Sequence, residues 1–385
     1  MPDSLQRWMK EVARITQSGR LGRVAQFIQQ SLGAVPAEPT APDRAIVVEG
    51  VVGEVSPQPV VRPEAKTPGE TQVGLAARPA LEPADHLGLT LTGQHTELGL
   101  TRGYELYLPA KATAHTEPLP LVVMLHGCSQ NPQDFAAGTA MNELAREKGF
   151  AVLYPAQSQD ANPARCWNWF DKDHQQRGHG EPAVLAGLTH AVMAEHGFDA
   201  RRVYVAGLSA GGAMAAVLGQ AYPDLYAAVG IHSGLASGAA GDLMSALSAM
   251  QHGQAADATA GGVADPVPTI VFHGDSDAVV HPDNGARAIE VAVRRSELAT
   301  MASPTPAPVI EQGVSAQGRG YTRITHPGTE SAAAQAEHWL VHGAGHAWSG
   351  GSERGSYTDP SGPDASREMW RFFSSHVQPE RRHNR

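Results

Sequence analysis

Alternating strand and helix patterns run along the chain from Gly88 onward. The stretch Leu121–Leu125 is an unbroken apolar run, which is typical of a strand buried on both faces of a sheet. Similar short runs predict strands at 104–108, 151–154, 203–206, 226–231, 269–272 and 338–341, and helical spacings predict helices near 133–148, 183–196, 284–297 and 364–376 and one beginning at 210. Repeated β-then-α units predict an α/β fold, with a mostly parallel sheet and helices on both faces. Sites in such sheets lie at the carboxyl ends of the strands.

The first part of the chain has a different pattern. Apolar residues recur at three- and four-residue spacings on both sides of Ser18-Gly19-Arg20, which predicts two short amphipathic helices joined by a turn over residues 1–32. Residues 33–85 contain nine prolines and no aromatic residue, which predicts an extended linker over 33–87. The sequence therefore predicts one large α/β domain at 88–378 and a disordered tail at 379–385. The hairpin has two open interpretations: it packs on the main domain or on a second copy of itself, or it docks on a surface.

Composition and charge narrow the classes of function. Hydrophobic residues make up 42% of the 385 residues and charged residues only 18%, so the chain has enough apolar material for a large core. The net charge of −10 and the absence of a long Lys/Arg run argue against a nucleic-acid partner. No stretch approaches the roughly 18 consecutive apolar residues of a membrane span, and the N-terminus lacks the apolar run of a secretory signal. A cytoplasmic location without a transmembrane segment is the expectation.

A candidate nucleophile follows the predicted strand at 203–206. The pentapeptide Gly207-Leu208-Ser209-Ala210-Gly211 matches G-x-S-x-G, which is weak evidence by itself in a chain with 41 glycines. Its context of strand, sharp turn and helix is that of a nucleophile elbow. A glycine-rich turn with an incidental serine is the alternative. A serine hydroxyl needs a base, and the base needs a third group that orients it.

The acid and the base come from later loops. The sequence His273-Gly274-Asp275-Ser276-Asp277 follows one predicted strand, and Gly343-Ala344-Gly345-His346 follows another. Serine, then acid, then histidine is the chain order of α/β-hydrolases. Asp277 is preferred over Asp275 because it lies deeper in its loop, and His346 over His342 because His342 ends the strand. A metal site at His342 and His346 would need a helix, which the intervening glycines disfavour, so no metal is predicted.

The reaction also needs N–H donors for an oxyanion. One is predicted at Ala210, at the start of the helix after Ser209. The other is predicted in the loop His126-Gly127-Cys128-Ser129-Gln130, which follows the strand at 121–125. The backbone of Cys128 is the preferred second donor, and Gly127 is the alternative.

Several motifs together resemble one family. HGCSQNPQDFAAGTAMNELA, RCWNWF, VYVAGLSAGGAMA, HGDSDAVVHP and GAGHAWSGG are similar to the poly(3-hydroxybutyrate) depolymerase family of esterases, in the same order, over about residues 100–375. The resemblance implies an α/β-hydrolase fold, a triad of Ser209, Asp277 and His346, Cys128 near the oxyanion hole, and cofactor-independent hydrolysis of short-chain hydroxyalkanoate esters. The family includes relatives that resemble feruloyl and acetyl-xylan esterases. The chain resembles intracellular members, since it shows no signal peptide and no separate polymer-binding domain.

The expected function is therefore that of a serine esterase that cleaves poly- or oligo(3-hydroxybutyrate) through an acyl-enzyme, with a storage granule as a further partner. The alternatives are an esterase for soluble feruloyl or acetyl esters and a non-catalytic granule-coat protein that binds through its N-terminal hairpin. The sequence does not indicate an oligomeric state.

Three features near the predicted site leave alternatives open. Trp167, Trp169 and Trp348 fall in predicted loops, where they would hold an acyl unit at the rim of the site or simply pack. Cys128 and Cys166 are expected to lie close enough to form a disulfide, whereas a reducing compartment would favour two thiols. The Gly-, Ala- and Ser-rich stretch 233–267 would be a lid or a mobile loop.

Overall fold

The structure is a computed structural model, which describes residues 88–110, 117–253, 267–300, 306–328 and 334–379. The predicted hairpin at 1–32 and linker at 33–87 lie outside the described residues, as does the predicted tail beyond residue 379. Within the described ranges, no helix combines the length and the apolarity needed to cross a lipid bilayer.

A ten-stranded sheet lies at the centre of the described part. Its strands are β1 (Leu89–Glu97), β2 (Leu100–Leu108), β3 (Leu121–Leu125), β4 (Ala151–Pro155), β5 (Val203–Leu208), β6 (Ala228–His232), β7 (Thr269–Gly274), β8 (Val309–Val314), β9 (Gly320–Pro327) and β10 (Ala334–Val341). Their order is β1-β2-β4-β3-β5-β6-β7-β10-β9-β8. The six strands from β4 to β10 in that order are parallel, and the two strands at each edge are antiparallel to their neighbours. A separate two-stranded sheet pairs β11 (Trp348–Ser349) with β12 (Thr358–Asp359).

Helices cover both faces of the sheet. They are α1 (Pro132–Thr139), α2 (Met141–Lys148), α3 (Gly180–His196), α4 (Ala210–Ala221), α5 (Leu243–His252), α6 (Asp283–Thr300) and α7 (Ala365–Ser374). Along β3, Leu121, Val123 and Leu125 join one apolar cluster with α3, α4 and α6, whereas Val122 and Met124 join a second cluster with α1, α2 and α7. This alternation explains why the whole strand is apolar and fully buried. The predicted α/β-hydrolase fold, with a mostly parallel sheet between two helical layers, is confirmed.

The structure also differs from the predicted elements in places. The single helix predicted at 133–148 is two helices, which meet at Ala140 in a left-handed conformation with φ of 51°. The sequence pattern did not predict β1, β8 or β9. These strands lie at the sheet edges, where side chains are half or fully exposed and strict apolar alternation is not required. Within the stretch considered as a lid, residues 243–252 form α5, and Leu235 and Ala236 are buried; residues 254–266 lie outside the described ranges.

A buried ion pair fixes the long loop between β4 and α3. Glu181, in the first turn of α3, is fully buried and pairs with buried Arg102 of β2 at 3.2 Å. The same carboxylate accepts hydrogen bonds from Gln157 and from the backbone and side-chain N–H groups of Asn168, the latter two at 2.8 Å. Gln157 also donates to the carbonyl of Cys166 at 3.0 Å. One carboxylate therefore holds both ends of the loop that lies beside the predicted oxyanion loop.

The replacement Glu181→Gln should lower the free energy of unfolding by about 3–5 kcal/mol, because it leaves the Arg102 guanidinium buried without its counter-charge. Urea unfolding followed by tryptophan fluorescence measures this. The matched control is Glu195→Gln on the same helix, where the side chain is exposed and the change should stay within about 0.5 kcal/mol. Equal effects of the two replacements would contradict the assigned role of Glu181.

Candidate active site

Ser209 lies in a sharp turn between β5 and α4. Its backbone has φ of 57° and ψ of −120°, a conformation that non-glycine residues rarely adopt. The Ser209 N–H donates to the carbonyl of His232 at 2.9 Å, and its carbonyl accepts from Ala213 N–H at 2.9 Å. The strain is thereby held by the neighbouring strand and by the first turn of the helix. This is the strand–turn–helix context that the sequence predicted for Ser209.

The two glycines of the pentapeptide are required by close approach of backbone to backbone. A Cβ atom on Gly211 would lie 2.1 Å from the carbonyl oxygen of Leu125, and one on Gly207 would lie 2.3 Å from the carbonyl carbon of Gly211. A side chain at either position would push α4 away from β3 and β5. The helix N-terminus therefore lies directly against the loop after β3.

The acid and the histidine come together from the loops after β7 and β10. His346 Nδ1 lies 2.7 Å from Asp277 Oδ2, and the Asp277 side chain is fully buried. The other oxygen of Asp277 accepts from the backbone N–H groups of Val279 and Val280, each at 2.9 Å. Burial alone would raise the pKa of Asp277, but the hydrogen bonds from His273 and His346 outweigh it and hold that pKa well below its usual range. Ionised Asp277 accepts a hydrogen bond from the Nδ1–H group of His346. The Nε2 atom of His346 is then the unprotonated, basic nitrogen.

The rival acid and the rival histidine form a separate pair. Asp275 Oδ2 lies 3.0 Å from His342 Nδ1, and Asp275 Oδ1 accepts from the Gly343 N–H at 2.6 Å. His342 also contacts Thr322 on β9, with 3.0 Å between Nε2 and Oγ1. Both side chains are about two-fifths exposed. Asp275 thus ties the two loops together beside the buried pair.

His232, at the carboxyl end of β6, connects the serine turn with the histidine loop. Its carbonyl accepts from Ser209, and its Nε2 accepts from the Ser349 N–H at 2.9 Å, three residues after His346. The ring stacks on Trp348, with 5.0 Å between centroids. Burial lowers the pKa of His232 to about 3, and His273 and His346 nearby act in the same direction. His232 is therefore neutral. Histidines occur throughout the sequence, so no local sequence pattern indicated that His232 connects these two segments.

The loop after β3 presents one free N–H donor. The Gly127 N–H donates to Gln130 Oε1 at 2.9 Å, so it is already used. Among the described residues, no acceptor receives the N–H of Cys128 or that of Ala210. The structure therefore favours Cys128 over Gly127 as the donor that pairs with Ala210. Gln130, which decides between them, was not singled out by the sequence.

A disulfide joins the oxyanion loop to the loop between β4 and α3. Cys128 and Cys166 are bonded, with Cα atoms 4.2 Å apart. The Ser129 N–H donates to the Ala164 carbonyl at 2.7 Å, and the Gln157 N–H donates to His126 Nε2 at 3.1 Å. The predicted oxyanion donor is thus held both covalently and through the backbone.

For the three tryptophans considered at the rim, the structure favours the packing alternative, because all three are buried. Trp167, Trp169 and Trp348 are 0%, 5% and 1% exposed. Trp167 donates to the His126 carbonyl at 3.1 Å, and Trp348 donates to Ser366 Oγ at 3.1 Å while it stacks on His232. Large aromatic surfaces stabilise loops best when they are buried and their N–H groups are paired. These residues support the site from beneath and do not line it.

No group of three or more His, Cys, Asp or Glu side chains converges as metal ligands within the described parts of the chain. The site as described consists of a strained serine, a buried Asp–His pair and two free backbone N–H groups, all at the carboxyl ends of parallel strands. This arrangement has the parts that acyl transfer needs: a nucleophile, an oriented base and donors for a developing oxyanion.

Comparison with known proteins places the chain in a family. A family model described as esterase PHB depolymerase matches residues 102–301, more than half of the 385 residues. The chain belongs to this family. The matched region includes Ser209 and Asp277 and ends before His346, which the structure brings to Asp277 from the loop after β10.

The relatives have names that indicate different substrates. Poly(3-hydroxyalkanoate) depolymerase C of Paucimonas lemoignei is 36% identical over 181 residues, which cover 44% of this chain and 44% of that protein. Feruloyl esterase B of Thermothelomyces thermophilus is 28% identical over 232 residues, which cover 56% of this chain and 78% of that protein. The chain thus spans less than half the length of the Paucimonas relative. An acetyl xylan esterase structure from Aspergillus awamori matches with a TM-score of 0.56 at 18% identity, covering 74% of this chain and 99% of that one, which shows the shared fold alone.

The free energy of unfolding should fall as the pH drops from about 6.5 to 4. Burial lowers the pKa of His126 to about 4, and its neutral ring accepts from Gln157 and hydrogen-bonds the Gly127 carbonyl at 2.8 Å. The unfolded chain, with a histidine pKa of about 6.5, binds more protons in this range, so stability is full above pH 6.5. The loss at pH 4 should be on the order of 3 kcal/mol for His126 alone. Urea unfolding at several pH values measures it.

As a control, replacing the exposed His252 by Gln should leave the slope of stability against pH unchanged. A free energy of unfolding that stays constant between pH 7 and pH 4 would contradict the neutral, buried state of His126 and His232.

Loss of the disulfide should lower both stability and turnover. We expect Cys166→Ser to reduce the free energy of unfolding by about 2–4 kcal/mol, and to reduce kcat on a soluble ester by roughly tenfold because the Cys128 N–H is less well positioned. Intact mass after alkylation should show no adduct without reductant and two adducts with it, since the chain has two cysteines. Two adducts without reductant would show that the bridge is absent.

Proposed function

We propose that the protein is a serine carboxylester hydrolase with Ser209, Asp277 and His346 as its catalytic triad and the N–H groups of Cys128 and Ala210 as its oxyanion hole. The observation that carries the proposal is the buried Asp277–His346 pair, which orients Nε2 of His346 as a base at the same sheet edge as the strained Ser209. Membership of the esterase PHB depolymerase family supports the same conclusion.

The proposed reaction has two stages. Ser209 Oγ attacks the ester carbonyl while His346 Nε2 takes its proton, and the carbonyl oxygen gains negative charge opposite the two N–H groups. The protonated His346 then gives the proton to the leaving alkoxide, and an acyl-enzyme remains on Ser209. In the second stage, His346 Nε2 takes a proton from water as the water oxygen attacks the acyl carbonyl. His346 then returns this proton to Ser209 Oγ as the acid product leaves. Asp277 stays ionised throughout and stabilises the imidazolium that forms in each stage.

As substrate we propose a polyester or oligoester of short 3-hydroxy acids, with 3-hydroxybutyrate as the repeat. The Paucimonas relative, a poly(3-hydroxyalkanoate) depolymerase, supports this class. The second candidate is a soluble feruloyl or acetyl ester, and the feruloyl esterase relative supports this class. A granule surface remains the proposed partner for residues 1–32, which lie outside the described part of the chain, and a cytoplasmic location accompanies that proposal.

The acid assignment predicts unequal effects of two matched variants. Asp277→Asn should lower kcat by about 10³–10⁴, because an amide neither stabilises the imidazolium nor fixes the tautomer of His346. Asp275→Asn should lower kcat less than tenfold, since Asp275 only ties the neighbouring loops. Steady-state kinetics on p-nitrophenyl butyrate compares them. The reverse order of effects would assign the acid to Asp275.

The substrate assignment is tested with the full chain on four esters side by side. Amorphous polyhydroxybutyrate granules, hydroxybutyrate trimer, a methyl ferulate and an acetylated xylan oligomer are supplied, and acid release is titrated. We expect the first two to be cleaved fastest, and Ser209→Ala to lower every rate by about 10⁴–10⁶ with the fold retained by circular dichroism. Preference for ferulate or acetyl-xylan would select the second candidate. Turnover by Ser209→Ala near the full rate would refute the triad, and granule binding without any hydrolysis would indicate a coat protein.

A further inference from the structure

An exposed tyrosine links the segment after the candidate histidine to the predicted oxyanion loop. Tyr357 is 39% exposed and is the only aromatic residue among the large, exposed hydrophobic side chains of the described ranges. Its carbonyl accepts from the Trp348 N–H at 2.7 Å, two residues after His346. Its hydroxyl lies 3.3 Å from Ser129 Oγ, one residue after Cys128. The residue therefore joins the segment that follows the proposed base to the loop that carries the proposed oxyanion donor.

The two hydroxyls have defined roles in their hydrogen bond. Ser129 Oγ donates its proton to the Cys128 carbonyl at 2.6 Å. A serine hydroxyl has a single proton, so in this arrangement the Tyr357 hydroxyl is the donor to Ser129 Oγ. A bond of 3.3 Å between exposed hydroxyls is long for O–H···O. An acceptor that enters the site, such as an ester carbonyl, would compete with Ser129 Oγ for this proton.

Both residues are held in strained backbone conformations. Ser129 has φ of 65° and Tyr357 has φ of 53°, in the left-handed region that disfavours a bulky side chain. Such conformations persist only where the surroundings fix them, and they concentrate at functional sites.

The contacts that fix Tyr357 come from the oxyanion loop itself. Gln130, which accepts from Gly127, donates to Asp134 Oδ2 at 2.9 Å and to the Ser356 carbonyl at 3.1 Å. The Ser356 N–H and Oγ both donate to the Asp134 carboxylate, at 2.8 and 2.5 Å. One network therefore sets the position of the oxyanion loop and the position of the residue before Tyr357.

We infer that Tyr357 and Ser129 form a binding subsite for the repeat unit next to the scissile ester, and so make the site selective for oligoesters over simple monoesters. A polyester of 3-hydroxy acids has a carbonyl and an alkyl branch in every repeat. The Tyr357 hydroxyl donates to the neighbouring carbonyl, and the ring covers the alkyl branch. A monoester lacks the second carbonyl and gains nothing from the subsite. The inference rests on the proposed polyester function and names the residues that would recognise the chain.

Two variants of Tyr357 separate the hydroxyl from the ring. Tyr357→Phe keeps the ring and removes the donor, and Tyr357→Gly removes both while it accepts a φ of 53° without strain. The substrates are hydroxybutyrate trimer and p-nitrophenyl butyrate, and the readout is the ratio of the two kcat/KM values. We expect this ratio to fall about fivefold in Tyr357→Phe and at least twentyfold in Tyr357→Gly, mainly through KM for the trimer.

The matched control is Tyr104→Phe, the same chemical change on a half-buried tyrosine of β2 that packs over Gly93 of the edge strand. Its ratio should equal that of the unmodified chain. If the ratio in both Tyr357 variants also equals that value, the subsite is refuted. Equal losses on both substrates, accompanied by a lower Tm, would show a purely structural role and would refute it as well.

Failure of the proposed function gives a different result. If the unmodified chain cleaves p-nitrophenyl butyrate but does not cleave the trimer, the proposed polyester substrate is refuted, and the proposed subsite is refuted with it. An unmodified chain that cleaves the trimer, with unaltered ratios in the variants, would remove the subsite alone.

Discussion

The site depends on one steric constraint, which is the close approach of the α4 N-terminus to the carboxyl end of β3. The approach is possible only because Gly207 and Gly211 have no side chains. A Cβ atom at either position would lie 2.1–2.3 Å from a backbone atom. The close approach places the Ala210 N–H beside the loop that begins at His126 and forces Ser209 into its left-handed turn. Because the same helix end provides both the turn and the first oxyanion donor, a shift of α4 would displace both together.

Hydrogen bonds to buried polar groups hold the loops in register above this contact. His126 and His232 are neutral and accept backbone N–H groups from loops distant in sequence. Glu181 anchors the loop that carries Cys166, and Gln130 occupies the Gly127 N–H so that the Cys128 N–H is left free. Each of these groups is satisfied in the folded state, and removing one partner leaves a buried donor or acceptor without compensation. Such networks fix geometry closely, which a site for acyl transfer requires.

The proposed triad and the proposed substrate subsite lie in different parts of the structure. Ser209, Asp277 and His346 follow the ends of parallel strands, in a fold shared with the acetyl xylan esterase structure. The surface available to a substrate is set by longer segments, where three tryptophans are buried and Tyr357 is exposed. This separation accords with the similarity of this chain to relatives whose names indicate a polyester in one case and a feruloyl ester in the other.

The sequence by itself determined the parallel part of the sheet and the residues that lie at its carboxyl end. Runs such as Leu121–Leu125 are apolar because both faces are buried, and a glycine-flanked serine after a strand requires little tertiary information to interpret. The preference for Asp277 and His346 over Asp275 and His342 also followed from position within each loop, and the structure pairs the residues in that way.

Only the tertiary structure decided which polar atoms are occupied and which aromatic rings are exposed. The choice of Cys128 over Gly127 depends on a side-chain amide three residues away, and the burial of Trp167, Trp169 and Trp348 depends on what packs against their loops. Tyr357 belongs to a segment of Gly, Ser and Thr without periodicity, and its place beside Ser129 results from contacts across more than two hundred residues. The local pattern of apolar and polar residues indicates which positions of a helix or strand are buried. It does not indicate the pairing of side chains between distant loops, because that pairing is set by the packing of the whole sheet.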